Sequence, residues 1–254
     1  MGKIIAIANQ KGGVGKTTTT INLAACLAEA GKRVLVIDLD PQGNTTSGLG
    51  IDKNEMENTV YELLLGEATI RESMHKTDIQ NLSILPSNVH LAGAEIELLN
   101  VDNKEYLLKN EIDYVERDFD FILIDCPPSL NMLTVNAMTT ASSVLVPIQC
   151  EYYALEGLSQ LMHTIRLVQE RLNPELEIDG IVFTMYDGRT NLSSQVVENV
   201  RENVDVNIYN TVIPRNIRLA EAPSHGMPIT EYEPKSAGAE SYRQLAQEVM
   251  NRRN

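Results

Sequence analysis

Long apolar runs and cysteines are both scarce in this sequence of 254 residues, and each scarcity excludes a class of protein. The apolar segment nearest the amino terminus, residues 4–8, is too short for the hydrophobic region of a signal peptide. Nowhere do about 18 apolar residues follow one another, as a membrane-spanning helix requires. The three cysteines, Cys26, Cys126 and Cys150, lack C-x-x-C spacing, which argues against a disulfide framework or a zinc site. We therefore expect a cytoplasmic protein without a membrane partner.

Positive charge is also in short supply. The chain carries 21 Lys and Arg against 35 Asp and Glu, a formal net charge of −14. This balance argues against a nucleic-acid partner, because binding to the phosphate backbone depends on Lys and Arg. The acidity is unevenly distributed, however: residues 1–179 hold 13 basic and 26 acidic side chains, whereas residues 180–254 hold 8 and 9. A local basic surface is therefore expected only in the C-terminal third.

The most informative stretch is NQKGGVGKTT at residues 9–18, between a short apolar run and a long helical pattern. Its glycines let the backbone turn with N–H groups facing inward, and the following helix points the positive end of its dipole at the same place. The stretch predicts a phosphate-binding loop in which Lys16 neutralises the β- and γ-phosphates and the Thr17 hydroxyl is a ligand of Mg²⁺. Gln10 replaces the usual glycine, and Lys11 is an additional lysine. The predicted nucleotide-binding residues of the loop are Gly12, Gly13, Val14, Gly15, Lys16, Thr17 and Thr18.

Short apolar runs alternate with helical patterns along the whole chain. This alternation, without internal repeats or low-complexity linkers, predicts one α/β domain over residues 1–254 with a single doubly wound, mostly parallel sheet flanked by helices. Pro147 is expected to stop one strand, and Asn58 is expected to cap a helix through residues 60–64. The main predicted strands are 3–9, 34–38, 82–85, 121–125, 143–148, 178–185 and 207–213, and the main predicted helices are 16–30, 91–99, 103–117, 153–172 and 238–250.

Acidic residues end two of the predicted strands, at the edge of the sheet where ligands bind in open α/β folds. Asp125 ends an apolar strand, as the Asp that coordinates Mg²⁺ in P-loop proteins does. Asp38 and Asp40 alternate, so only one of them can face the phosphates fully. Asp40, farther out, is predicted to orient the attacking water, and Asp38 to support the metal. Each feature alone also fits a helix cap or a structural turn, but their combination favours nucleotide binding; a switch that binds without hydrolysis needs nearly the same residues.

Several motifs carry a family resemblance. KGGVGKTT at 11–18 resembles the deviant Walker A motif of the ParA/MinD superfamily of P-loop NTPases, and VIDLDPQG at 36–43 is similar to the partner motif of its ParA/Soj branch. The likeness extends over nearly the whole chain, through IDCPPS at 124–129, TMYDGRT at 184–190, IPRNIRLAEAPSHG at 213–226 and KSAGAESY at 235–242. The helix-turn-helix extension that plasmid members carry before the loop is expected to be absent.

The resemblance implies a homodimer that closes around ATP and Mg²⁺, in which Lys11 of one subunit reaches the phosphates bound by the other. An extra cation on a loop that already has Lys16 is useful where two triphosphates face each other. The resemblance also implies that adenine lies against Met185, Ile213 and Pro214.

The family resemblance further implies that the ATP-bound dimer binds double-stranded DNA without sequence preference and is stimulated by a ParB-type centromere-binding partner on the nucleoid. The positions that match are Arg189 and Arg218, with Arg215 as a neighbour. One alternative is that these arginines are solvated or pair with nearby carboxylates such as Glu221.

Two other functions remain open at this point. A MinD-like membrane switch needs an amphipathic anchor, and the final predicted helix lacks the bulky Phe or Leu face of an interfacial helix. The second is a nucleotide-gated DNA-binding regulator with little turnover. The resemblance implies only the class of the partner, and both chromosome segregation and control of replication initiation fit it.

Overall fold

Continuous runs of Val, Ile and Leu form strands that are buried on both faces, as inner strands of a parallel sheet must be. The protein is described by a computed structural model covering residues 2–151 and 154–252, without the side chain of Glu156. The strands are β1 (Lys3–Ile7), β2 (Val34–Asp38), β3 (His75–Lys76), β4 (Leu82–Leu85), β5 (Phe121–Asp125), β6 (Ser143–Gln149), β7 (Glu177–Tyr186) and β8 (Ile208–Pro214).

These strands form one sheet in the order β3-β4-β2-β5-β1-β6-β7-β8. All the pairings are parallel except β3 with β4. β1 lies between β5 and β6, so the strand order reverses next to the glycine-rich loop, and ligands bind at such a switch point. The predicted doubly wound α/β fold is confirmed.

Helices cover both faces of the sheet. Ile5 and Ile7 belong to the core on one face and Ile4 and Ala6 to the core on the other, which follows from the two-residue period of a strand. The helices of the described residues are α1 (Lys16–Glu29), α2 (Asn44–Gly48), α3 (Val60–Leu64), α4 (Ile70–Ser73), α5 (Leu91–Glu97), α6 (Leu107–Ile112), α7 (Met132–Thr140), α8 (Ala154–Arg171), α9 (Asn191–Asn203), α10 (Ile217–Glu221), α11 (Ile229–Tyr232) and α12 (Ala237–Asn251). None of the helices in this part of the chain is long and apolar enough to span a bilayer.

The predicted helix over 103–117 is wrong in extent. Only α6 is α-helical there, with 3₁₀ turns before and after it. The Asn136 side chain accepts a hydrogen bond from the backbone N–H of Leu108 at 3.1 Å and donates to the carbonyl of Lys104 at 2.8 Å. Because a side chain from α7 bonds these backbone groups, the segment needs no continuous helical ladder.

Two residues that were predicted to end a strand or cap a helix do not have that role in the structure. Pro147 does not stop its strand: β6 continues to Gln149, because β1 has already ended beside Pro147 and no ladder donor is needed there. Thr59, rather than Asn58, caps α3, in a reciprocal capping box with Glu62. The predicted start of α8 at Tyr153 lies outside the described residues.

Candidate nucleotide-binding site

The glycine-rich loop leaves β1 and leads directly into α1. Gly13 and Gly15 have φ values of +75° and +90°, in the left-handed region that favours glycine. A Cβ built on Gly12 or Gly13 would meet no atom within 4 Å, so open space lies above the loop. No side chain caps the first turn of α1, which leaves its N–H groups available to an anion. The loop therefore has both the room and the donors that a phosphate needs.

The two lysines of the loop lie in different surroundings. Lys16 is 7% exposed, and its Nζ donates to the carbonyl of Lys11 at 3.1 Å. Burial lowers the pKa of Lys16, and the negative charges of Asp125 and Asp40 partly oppose that shift. The Lys11 side chain is 39% exposed and forms an ion pair with Glu151 of its own chain. Lys16 thus lies over the loop, whereas Lys11 is directed away to the neighbouring strand end.

The acidic edge beside the loop consists of two fully buried carboxylates. Asp38 and Asp125 are paired across β2 and β5, with 0% exposure each. Asp125 Oδ2 accepts hydrogen bonds from the hydroxyls of Thr17 at 2.8 Å and Thr45 at 2.6 Å. Asp38 Oδ2 accepts from the backbone and side chain of Thr46 at 2.8 and 2.7 Å.

Burial is the main reason that both carboxylates are hard to ionise. It raises the pKa of Asp38 to about 7, with a further contribution from the charge of Asp125, and it raises the pKa of Asp125 to about 6. A cation placed against Asp38 and Asp125 would lower their pKa values again, because an opposite charge favours the ionised carboxylate.

The oxygen atoms at this edge fit a magnesium ion. Magnesium in nucleotide sites takes one or two carboxylates together with phosphate oxygens and water. Thr17 and Asp125 supply a hydroxyl and a carboxylate in direct contact, and Asp38 lies on the adjacent strand. Among the described residues, no group of three or more His, Cys, Asp or Glu side chains could hold a metal by itself. Thr17, Asp125 and Asp38 therefore suit a magnesium ion whose remaining ligands are phosphate oxygens of a nucleotide and water.

Asp40, the residue predicted to orient water, lies at the same edge but outside the buried pair. Its Oδ1 accepts from the backbone N–H of Gln42 at 2.9 Å, and its carbonyl accepts from Ser87 Oγ at 2.8 Å. Burial is the main cause of the pKa shifts of Lys16 and Asp125; the charge of Asp40 opposes the lowered pKa of Lys16 and adds to the raised pKa of Asp125. Asp40 is partly exposed, in contrast to the fully buried Asp38 and Asp125.

A cavity of about 330 Å³ opens next to the loop, at the carboxyl ends of β7 and β8. It is bounded by Gly15 and Thr18 on one side, and the three residues predicted to contact adenine, Met185, Ile213 and Pro214, all line it. Met185 has φ +52°, unusual for a residue with a long side chain, where the pairing of β7 with β8 shifts register. The volume of the cavity falls in the range of small-molecule pockets.

The three arginines predicted to contact DNA lie near the same two strand ends. Arg189 is 87% exposed in its side chain and contacts Asp187 through Nε at 2.9 Å and Nη2 at 2.7 Å. Arg218 Nη1 contacts Glu221 at 2.8 Å. Arg215 is exposed, and its guanidinium forms no ion pair with any described residue. The pairing with Glu221 weighed from sequence is therefore present.

Sequence reasoning missed three threonines that organise the site. Thr45 and Thr46 come from α2 and bond Asp125 and Asp38. Thr184 Oγ1 donates to the carbonyl of Val14 at 2.7 Å and ties β7 to the loop. The position of Asn44-Thr45-Thr46 directly after the acidic motif was the only local signal for the first two.

A glycine loop between strand and helix, a lysine over it and a hydroxyl bonded to a buried strand-end Asp together define a P-loop nucleotide-binding protein. A family profile described as an AAA domain matches residues 2–178. The chain is 57% identical over 249 residues to the sporulation initiation inhibitor protein Soj of Bacillus subtilis, covering 98% of each. It is 53% identical over 252 residues to the chromosome partitioning protein ParA of Myxococcus xanthus, covering 99% of this chain and 89% of that protein.

A solved structure adds a ligand-bound comparison. Cobyrinic acid a,c-diamide synthase from Mycobacterium smegmatis, with a bound ATP analogue and magnesium, has a TM-score of 0.88 at 40% identity, covering 98% of this chain and 95% of that one. The chain belongs to the ParA/Soj family of chromosome-partitioning ATPases.

Proposed function

We propose that this chain is a magnesium-dependent ATPase that dimerises around ATP, binds double-stranded DNA without sequence preference in that state, and acts in chromosome or plasmid partitioning with a ParB-type centromere-binding partner. The observation that carries the proposal is the meeting of Lys16, Thr17 and Asp125 around an open glycine loop. The solved neighbour with an ATP analogue and magnesium supports the choice of ligand.

Each residue of the site then has a chemical role. The N–H groups of the loop and Lys16 bind the phosphates, and Thr17, Asp38 and Asp125 are the groups that would hold magnesium. Magnesium, when bound, neutralises charge on the phosphate oxygens. Asp40 orients the attacking water with its free carboxylate oxygen, and the cavity beside Met185 receives the base.

Lys11 has a role between subunits in this proposal. In the single chain it pairs with Glu151, with both side chains partly exposed. An exposed ion pair of this kind contributes little, about 0–1 kcal/mol, so a stronger anion can replace Glu151 at small cost. The facing subunit's triphosphate is such an anion, and ATP thereby links the two chains.

The test of the nucleotide step compares dimerisation and turnover with and without Lys11. Analytical ultracentrifugation with a slowly hydrolysed ATP analogue and a phosphate-release assay are run on wild type, Lys11→Ala and Lys76→Ala; the last removes the same charge from an exposed position on β3. We expect Lys11→Ala to remain monomeric with little turnover, and Lys76→Ala to behave like wild type. Intact dimerisation in Lys11→Ala would refute the role between subunits and leave the loop assignment standing.

The test of the DNA step is fluorescence anisotropy on a random-sequence duplex. We expect binding with the ATP analogue and weak binding with ADP, because dimerisation doubles the arginine set and affinity grows with each neutralised phosphate. Equal binding in the two nucleotide states would overturn the proposal. Phosphate release with DNA and a ParB-type partner separates a true ATPase from a regulator with little turnover, and sedimentation with liposomes tests the membrane alternative.

A further inference from the structure

Two carboxylates lie among the arginines that the proposed function assigns to DNA. Arg189, Arg215 and Arg218, together with Asp187 and Glu221, are called here the arginine patch. Its net charge is +1, because two of three positive charges face a carboxylate. The patch lies beyond the carboxyl ends of β7 and β8, where the backbone N–H of Arg215 donates to the carbonyl of Tyr186 at 3.0 Å. The two strand ends are therefore adjacent, and the residues of the arginine patch follow shortly after them along the chain.

The contact between Arg189 and Asp187 occupies the groups that a phosphate would need. Nε and Nη2 of the guanidinium contact the two carboxylate oxygens at 2.9 and 2.7 Å, a bidentate arrangement. A guanidinium binds a phosphate through this same planar edge, so Asp187 occupies the groups that Arg189 would use. Asp187 is also fixed by its own loop, because its Oδ1 accepts from the backbone N–H of Arg189 at 3.1 Å. It is therefore held in place as a competitor rather than being a freely moving side chain.

Asp187 also faces a second arginine. The pKa of Asp187 is lowered to about 2, mainly by hydrogen bonds from Arg189, and the charge of Arg215 is one of the contributions to this shift. Asp187 thus stays ionised at any physiological pH and acts on two of the three arginines.

Glu221 pairs with Arg218, the third arginine, and is likewise held by a second contact. Its Oε2 accepts from Arg218 Nη1 at 2.8 Å and from the Tyr232 hydroxyl at 3.2 Å. The tyrosine holds the carboxylate beside the arginine, as the loop backbone holds Asp187. Each competing carboxylate is therefore positioned by a second contact.

We propose that Asp187 and Glu221 limit the affinity of the arginine patch for DNA by competing with phosphate for Arg189 and Arg218. The proposal rests on the proposed function, since it concerns the same DNA-binding surface. A patch of this kind binds measurably only when two copies act together, so the carboxylates keep the single chain off DNA and let the dimer dissociate quickly. Asp187 and Glu221 are positioning residues that set affinity and are not contacts to DNA.

The experiment replaces each carboxylate by the amide of the same size, which removes the negative charge. Asp187→Asn keeps an oxygen for the backbone N–H of Arg189, and Glu221→Gln keeps an oxygen for Tyr232. The matched control is Asp118→Asn, which removes the same charge from an exposed ion pair with Arg71 at the opposite edge of the sheet. Binding of random-sequence duplex DNA to the full chain is measured by anisotropy with the ATP analogue and with ADP, between 50 and 200 mM salt, the interval over which phosphate contacts change affinity by roughly a thousandfold or more.

We expect Asp187→Asn and Glu221→Gln each to bind about three- to tenfold more tightly than wild type, with a salt dependence steeper by up to about 1.8 for the two charges of a dimer. Asp118→Asn should match wild type, and Asp187→Asn combined with Arg189→Ala should lose the gain. Affinity equal to that of wild type or of Asp118→Asn overturns the proposal, and a gain in one variant only overturns it for the other carboxylate.

The outcome also separates this inference from the proposed function. If wild type does not bind DNA in either nucleotide state but Asp187→Asn does, the proposed function fails and the competing role of the carboxylate stands. If neither binds, both fail. Should Asp187→Asn melt well below wild type, Glu221→Gln decides the result.

Discussion

The buried cluster around Asp179, at the edge of the sheet opposite the candidate site, makes a strong prediction about stability. Asp179 is 2% exposed and accepts from Lys3 Nζ at 2.5 Å. Its other oxygen, Oδ2, accepts from the Tyr209 hydroxyl. Ser143 Oγ and Arg252 Nε lie 3.5 and 3.9 Å from Oδ1, the oxygen that Lys3 contacts. We predict that Asp179→Ala is among the most destabilising single substitutions outside the site.

The magnitude follows from what the substitution leaves behind. The Lys3 side chain is 10% exposed, so its charge would lose its partner in a poorly solvated place. Breaking a buried ion pair from one side costs about 3–5 kcal/mol. For a chain of this size each kcal/mol lowers Tm by roughly 2–4 °C, so the expected fall is on the order of 10 °C. The buried Tyr209 hydroxyl loses its acceptor as well, which acts in the same direction.

Urea unfolding followed by circular dichroism measures the loss, with an unchanged slope m indicating that only stability has changed. The control is Lys3→Met combined with Asp179→Leu, which removes both charges and should recover the part of the loss that the unpaired Lys3 causes, because apolar residues often replace a buried ion pair at little cost. The Tyr209 hydroxyl lacks its acceptor in both variants. Nucleotide binding should stay near that of wild type in folded protein, since Asp179 lies six residues before Met185 on β7, about 20 Å away along the strand.

Two results would refute this reasoning. A free energy of unfolding for Asp179→Ala within about 1 kcal/mol of wild type would mean that Lys3 finds water or another partner. An equal loss in the double variant would mean that the packing of the cluster matters rather than its charge.

The remaining predictions concern the loop, a tight turn and the thiols. Thr184→Val leaves the carbonyl of Val14 without its buried donor, which costs about 1–3 kcal/mol; isothermal titration with ADP should show roughly tenfold weaker binding, and an unchanged Kd would contradict the coupling of β7 to the loop. Gly226→Ala places a Cβ 2.9 Å from the Gly50 Cα at φ +66°, so urea unfolding should show a loss of about 1–3 kcal/mol; a variant as stable as wild type would refute the tight approach. The three cysteines are buried, and burial raises the pKa values of Cys26 to about 12 and of Cys150 to about 11; an aromatic disulfide reagent at pH 8 should therefore react only after unfolding. Because the folded state keeps thiol protons that the unfolded chain loses above a pH of about 8.5, stability should fall as pH rises beyond that value, and fast labelling of the folded protein would argue against burial.

The phosphate loop and the inner strands could be predicted from local sequence alone. A strand buried on both faces needs only a continuous apolar run, and the glycines, Lys16 and Thr17 act within one turn of each other. The short ion pair of Arg218 with Glu221 was also within reach of sequence reasoning, since its partners lie three residues apart. For such features the physical cause and the residues that supply it lie in the same short segment.

Contacts between distant segments could not be predicted in this way. Asn136 breaks the helix predicted over 103–117, Thr184 bonds the loop from 170 residues away, and Glu151 pairs with Lys11 across a gap of 140 positions. In each case a polar group took the partner that the folded sheet and helices brought within hydrogen-bond distance. Local pattern therefore determined the inner strands, the phosphate loop and the fold class, whereas the short edge strand β3 was not predicted. Only the tertiary structure decided which side chain satisfies each buried charge, because that choice depends on which distant groups the sheet order brings together.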